Sequence, residues 1–204
     1  MKRKELYIYI VILTAANIGL MKGYFCWPLM FISEQVQAGQ WWRIFTHPFL
    51  HSSFYHLFLD GAAFFILYSQ IQQKSIRKKT LYVIGCGLGS LTAATIAMPF
   101  LDSVGYCGLS GIDHGLMVIS GLEMLKNKSL RSIGIAMLII IVIKCILETI
   151  SGNFVFDFLH NGMIGSPVAA AHLGGAIAAV LTYWLIGEYT KHCSNSHQIS
   201  LSSI

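Results

Sequence analysis

Gly108-Leu109-Ser110-Gly111-Ile112-Asp113-His114-Gly115-Leu116-Met117 is the stretch on which the fold and function of this chain turn. A short loop, residues 101–107, precedes it, and mostly apolar residues follow to about Leu125, so Ser110 stands at the mouth of an apolar helix. Backbone N–H groups in the first turn of a helix lack partners within it and attract developing negative charge. A serine there is well placed as a nucleophile beside a ready-made oxyanion site. The same residues also read as an N-cap serine followed by a small-residue packing face, Gly111 and Gly115, and the stretch alone leaves both readings open.

Outward from this stretch the chain is greasy. Of its 204 residues 55% are hydrophobic and 11% charged, with mean hydropathy +0.63, the balance of a polytopic membrane protein. Apolar runs near 6–21, 53–72, 81–100, 110–126, 132–150 and 168–187 predict an all-α membrane protein of six spans in a single domain, 1–204. Lys2, Arg3 and Lys4 precede the first run; Lys74, Arg77, Lys78 and Lys79 follow the second; Lys126, Lys128 and Arg131 follow the fourth; Lys191 follows the sixth. Eleven of fourteen basic residues thus share one side, which puts both termini and a tail over 188–204 in the cytoplasm and Ser110 toward the external face. The net charge of +5 is therefore a topology signal: no basic stripe interleaved with aromatics speaks for nucleic acid, and the expected partner is the bilayer. The basic start resembles a signal peptide, but the long apolar run and the lack of a clean A-x-A site keep it as a span. Five cysteines form no CxxC pair; Cys26 and Cys107 fall externally, where a disulfide is chemically possible, although small apolar packing residues is the simpler reading.

Residues 22–52 form a connection too long for a turn, with Tyr24, Phe25, Trp27, Phe31, Trp41, Trp42 and Phe45 spaced as in an interfacial element. His56 and Asp60 lie one turn apart on the second span, with His51 just before it; ionisable groups in a membrane helix are costly and should face inward. Gly111 and Gly115 on the fourth span, and Ala171, Gly175 and Ala179 on the sixth, are small-residue faces that let helices approach closely. Such an approach would bring Ser110 to His172, the one residue of its apolar run that titrates near neutral pH and a natural base for a serine hydroxyl. Lys144 and Glu148, four apart in the fifth span, read as a structural ion pair. Phe154, Phe156, Phe158 and Met163, in the loop 151–167, read either as a hydrophobic cap over the site or as interfacial anchors. Asp113 and His114 flank the azimuth of Ser110 on opposite sides, so Asp113 as a third catalytic member stays open.

Trp42-Arg43, then His47, His51 and His56 with a polar residue at 60, then Gly108-Leu109-Ser110-Gly111, then Ala171-His172-Leu173-Gly174-Gly175, taken in this order, resemble the rhomboid family of intramembrane serine proteases over about residues 41–185. The resemblance implies a six-helix rhomboid-like bundle and no metal or cofactor. It makes Ser110 the nucleophile and His172 the base of a two-residue dyad, with His56 and the backbone of Ser110 and Leu109 holding the oxyanion. His114 stands where many members have a tyrosine that packs on the catalytic imidazole, beside Gly111, and Arg43 and Trp42 belong to a structural loop motif. Ser110-Gly111 followed by His114-Gly115-Leu116 further resembles the rhombosortase branch, associated with cleaving membrane-anchored proteins that end in Gly-Gly, an apolar helix and a basic tail. The implied setting is the bacterial inner membrane, with the active site on the periplasmic side. One departure stands out: Asp60 replaces the usual Asn. In an apolar site a neutral carboxyl donates one hydrogen bond as the amide does, which is the expectation here; the alternative is a carboxylate that accepts from His56 and orients it.

The competing readings are weaker. His47 and His51 evoke a histidine-rich metal enzyme, but no HxxHH box is present and the topology is opposite. A catalytically inactive rhomboid-like protein that binds transmembrane clients is the alternative that Asp60 keeps open. A transporter would show internal repeats or broken paired helices, and none is evident.

Overall fold

The computed structural model describes residues 3–98, 101–153, 155 and 168–202, and among them every extended element is a helix. α1 (Arg3–Met21) leads into a connection of short turns that includes α2 (Ser33–Gln37) and α3 (Arg43–Thr46). There follow α4 (Phe54–Gln70), α5 (Ile76–Ala97), the single turn α6 (Leu101–Val104), α7 (Ser110–Met124), α8 (Arg131–Ser151) and α9 (Ala169–Ser202). Four are long and apolar enough to cross a membrane: α1, α5, α8 and the Ala169–Gly187 part of α9. α4 has 17 residues and α7 only 15, so length and hydropathy carry four of the six expected spans. The residues called a cap, Phe154, Phe156, Phe158 and Met163, lie outside the described residues.

The distribution of side chains is that of a bundle dressed for lipid. On α8, Ile139, Ile140, Ile143, Ile146 and Ile150 are exposed while Gly134, Cys145 and Glu148 face inward. Polar groups lie inside, among them Asn17, Arg43, His47, His51, His56, Asp60, Asp113 and His172. Lipid offers such groups no hydrogen bonds, so the bundle itself must supply them.

α7 is central, packing on α4, α5, α8 and α9. Its glycines make this possible. A Cβ at Gly115 would stand 2.8 Å from the Gly175 carbonyl oxygen, one at Gly111 would stand 3.1 Å from the Ala171 carbonyl oxygen, and one at Gly175 would overlap the backbone of Gly111. The two small-residue faces therefore meet backbone to backbone, which holds the starts of α7 and α9 side by side. Gly89 of α5 and Gly174 of α9 form a second such seam.

The connection over 22–52 braces the loop before Ser110. Arg43 is buried and donates from Nη1 to the carbonyls of Trp27 and Met30, at 2.7 and 2.6 Å, and from Nε to Gln40 Oε1 at 2.8 Å. Phe31 and Tyr106 exchange backbone hydrogen bonds of 3.0 and 2.9 Å, and the Gly108 N–H donates to the His47 carbonyl at 3.1 Å. The Tyr106 and Ser90 hydroxyls lie 2.8 Å apart, tying the same loop to α5. Cys26 and Cys107 are free thiols, and burial pushes Cys107 up to about 12.

Candidate active site

Ser110 is the first helical residue of α7 and is half-buried; Leu109 takes the N-cap place, and no side chain caps the helix. The capping role open from sequence is thus not the one it fills. Among the described residues no hydrogen bond takes the N–H of Leu109 or Ser110, so the positive end of α7 is presented at Ser110.

One wall of the site comes from α4. Gly108 has φ +113°, a conformation that favours glycine, and a Cβ there would stand 2.9 Å from His56 Nε2 and 3.2 Å from Asp60 Oδ2. Ser53 Oγ caps α4 by accepting from the His56 N–H at 3.1 Å. His56 Nδ1 accepts from the Ser52 N–H at 3.4 Å, which leaves the ring proton on Nε2, the nitrogen facing Gly108 and Asp60. Asp60 Oδ2 lies 3.2 Å from His56 Nε2 and 3.5 Å from His51 Nε2, without the alignment of a hydrogen bond to either. His51 is fully buried, its N–H held by Asn17 Oδ1 at 2.8 Å and its ring edge-on to His56 at 4.9 Å between centroids. Burial pushes the His51 imidazole below its ordinary pKa and pushes His47 down to about 4. Asp60, expected to be a neutral donor with a carboxylate acceptor as the alternative, lies among imidazole nitrogens, which serve either role.

The other wall comes from α8 and α9. The His114 and His172 rings stack at 3.9 Å between centroids and 8° between planes. His114 Nδ1 meets the Ser110 carbonyl at 2.7 Å, and Lys144 Nζ lies 2.9 Å from His114 Nε2. Lys144 also pairs with Glu148, as expected from their spacing, but Glu148 reaches further: its Oε2 lies 2.6 Å from His172 Nδ1. Ser110 meets His114 through its carbonyl. Asp113 is buried, and among the described residues neither carboxyl oxygen has a partner, so the carboxylate seen at His172 belongs to Glu148. Sequence reasoning missed that contact. The available signal was an ionisable pair within an apolar span, which a membrane helix seldom carries without a function.

Two sets of side chains, His51/His56/Asp60 and His114/Glu148/His172, bring ligand-type atoms within 4.8 Å of one another, a spacing able to hold a metal ion. Among the described residues His47 is in neither set; its Nδ1 meets the Arg43 carbonyl at 3.1 Å.

Comparison with known proteins gives one result. A family model described as a rhomboid domain matches residues 38–189, three quarters of the chain. No curated protein and no solved structure matches.

Proposed function

We propose that this chain, which belongs to the rhomboid family, is an active intramembrane serine protease with Ser110 as nucleophile and His172 as general base. The family is one of intramembrane proteases acting on membrane-anchored proteins. The observation that carries the proposal is the linkage Ser110–His114–His172: a carbonyl contact of 2.7 Å and a ring stack of 3.9 Å hold the base in register with the first residue of α7. In this reading α4 and α7 are short spans completing a six-helix bundle with both termini cytoplasmic. α7 measures about 22 Å against a hydrocarbon core of about 30 Å, so Ser110 lies recessed from the periplasmic side of an inner membrane.

Ser110 Oγ attacks a peptide carbonyl while His172 takes its proton. The carbonyl oxygen becomes an oxyanion facing the N–H groups of Leu109 and Ser110 and the Nε2–H of His56, whose ring the Asp60 carboxylate 3.2 Å away steadies by its charge. His172 then gives its proton to the leaving amine, and water releases the acyl-enzyme by the same steps. A helical substrate must unwind locally, which glycine eases; this favours rhombosortase-type substrates with Gly-Gly before an apolar helix.

The test is labelling of Ser110 by a fluorophosphonate, with cleavage of a model transmembrane substrate bearing such a signal. Ser110→Ala and His172→Ala should each abolish cleavage, and the double variant should be no worse. Substantial proteolysis by Ser110→Ala would refute the assignment.

A further inference from the structure

We infer that Glu148 positions His172, so that the centre works as a Ser110–His172–Glu148 triad; the inference rests on the roles of Ser110 and His172 proposed above. Glu148 is completely buried, with Oε2 2.6 Å from His172 Nδ1. Its Oε1 receives the Lys144 ammonium and, at 3.2 Å, the Val155 N–H.

The hydrogen-bond directions around this group close in one consistent way. An ammonium only donates, so Lys144 donates to Glu148 Oε1 and to His114 Nε2. His114, accepting at Nε2, carries its proton on Nδ1 and donates it to the Ser110 carbonyl. A carboxylate only accepts, so the His172 proton sits on Nδ1. Nε2 of His172 then carries no proton, as a base for Ser110 requires. When the Oγ–H bond breaks and Oγ–C forms, the proton arrives at Nε2 and the imidazolium rests against Glu148. When the C–N bond breaks, the amine takes that proton and His172 is neutral again. Lys144 balances the carboxylate throughout, and His114, fixed by two hydrogen bonds, covers the imidazole face.

Glu148→Gln separates positioning from a merely structural ion pair. Lys144 and the Val155 N–H both require an oxygen at the Oε1 place, so the amide turns its NH2 toward His172 Nδ1 and drives the ring proton onto Nε2, the wrong tautomer. The expected kcat is about 100-fold below wild type with KM little changed, no better than Glu148→Ala, and partly recovered in Glu148→Asp. A structural pair gives the reverse order, because Gln fills the space that Ala leaves empty. A folded Glu148→Gln protein that loses less than about tenfold in kcat overturns the inference while leaving Ser110 and His172 standing. A wild-type protein that neither labels with fluorophosphonate nor cleaves overturns the earlier reading, and this one with it. If Glu148→Gln does not fold, Lys144→Met/Glu148→Met removes both charges together: a wild-type rate overturns the positioning role, and a loss of tenfold or more, about that of Glu148→Ala, supports it.

Discussion

Replacing Gly108 with alanine acts on the proposed oxyanion wall without replacing a residue assigned to chemistry. The new Cβ would stand 2.9 Å from His56 Nε2, 3.0 Å from its Cε1 and 3.2 Å from Asp60 Oδ2, where ordinary contact begins at 3.4 Å. The imidazole or the loop must therefore give way by about 0.5 Å, the tolerance within which a catalytic constellation has to be held. The φ of +113° adds backbone strain of about 1–3 kcal/mol for a residue with a side chain. Losing one oxyanion donor costs about 100- to 1,000-fold, so kcat should fall about 100-fold while KM, set by docking of the substrate helix, changes little. The control is Gly39→Ala, at φ +97° with nothing within 4 Å of the new Cβ: it shares the strain but not the clash, and should keep near-wild-type cleavage. The assay is cleavage of a transmembrane substrate in proteoliposomes, with thermal melting to show that both variants are folded. A folded Gly108→Ala protein that cleaves at the wild-type rate would refute the placement of His56 at the oxyanion.

Two further outcomes are expected. Asp60→Asn should lower kcat by about tenfold, because a charge-assisted contact that steadies His56 is replaced by a neutral one; an unchanged or raised rate would make Asp60 the donor. His47, held near pKa 4 when folded against about 6.5 when unfolded, stays neutral in the native state while the unfolded chain takes up a proton between those values. Its contribution is thus fully present above pH 6.5 and lost as pH falls toward 4, about 3 kcal/mol in all, with His51 shifted in the same direction. Melting in detergent from pH 7 to 4.5 should show this loss, and a His47→Gln variant with an equally steep pH dependence would refute it.

Much of the bundle was legible because lipid demands long apolar runs. α8, at Arg131–Ser151, falls almost on the run 132–150. α5 begins earlier than its run, at Ile76, because Arg77, Lys78 and Lys79 are helical although polar; a hydropathy window stops at them, while the helix needs only their backbones. The approach of the starts of α7 and α9 was legible in their small-residue faces, which meet as expected. The candidate site was not legible where direction depends on packing. Spacing left open whether Asp113 or His114 turns to the site, and the packing of α7 against α9 stacks His114 on His172. The reach of Glu148 depends on how α8 rotates against α7, set where Gly121 meets Leu138 and Gly134, and no i, i+4 rule contains that contact. Similarly, Arg43 was recognisable only by resemblance, since two of its three partners are backbone carbonyls with no signature in the sequence.

The two walls solve one electrostatic problem in the same way. A carboxylate deep in a bundle loses its water, and its charge is tolerated only where nitrogen groups replace that water. Asp60 lies between two imidazoles, and Glu148 lies between an imidazole and an ammonium. Neither therefore depends on open solvent, and the site can be recessed without being flooded. His56, Asp60, Glu148 and His172 are accordingly buried, whereas Ser110 and His114 are only half-buried. On the proposed mechanism the hydrolytic water has to reach one place alone, the start of α7, where the acyl group it attacks would be attached.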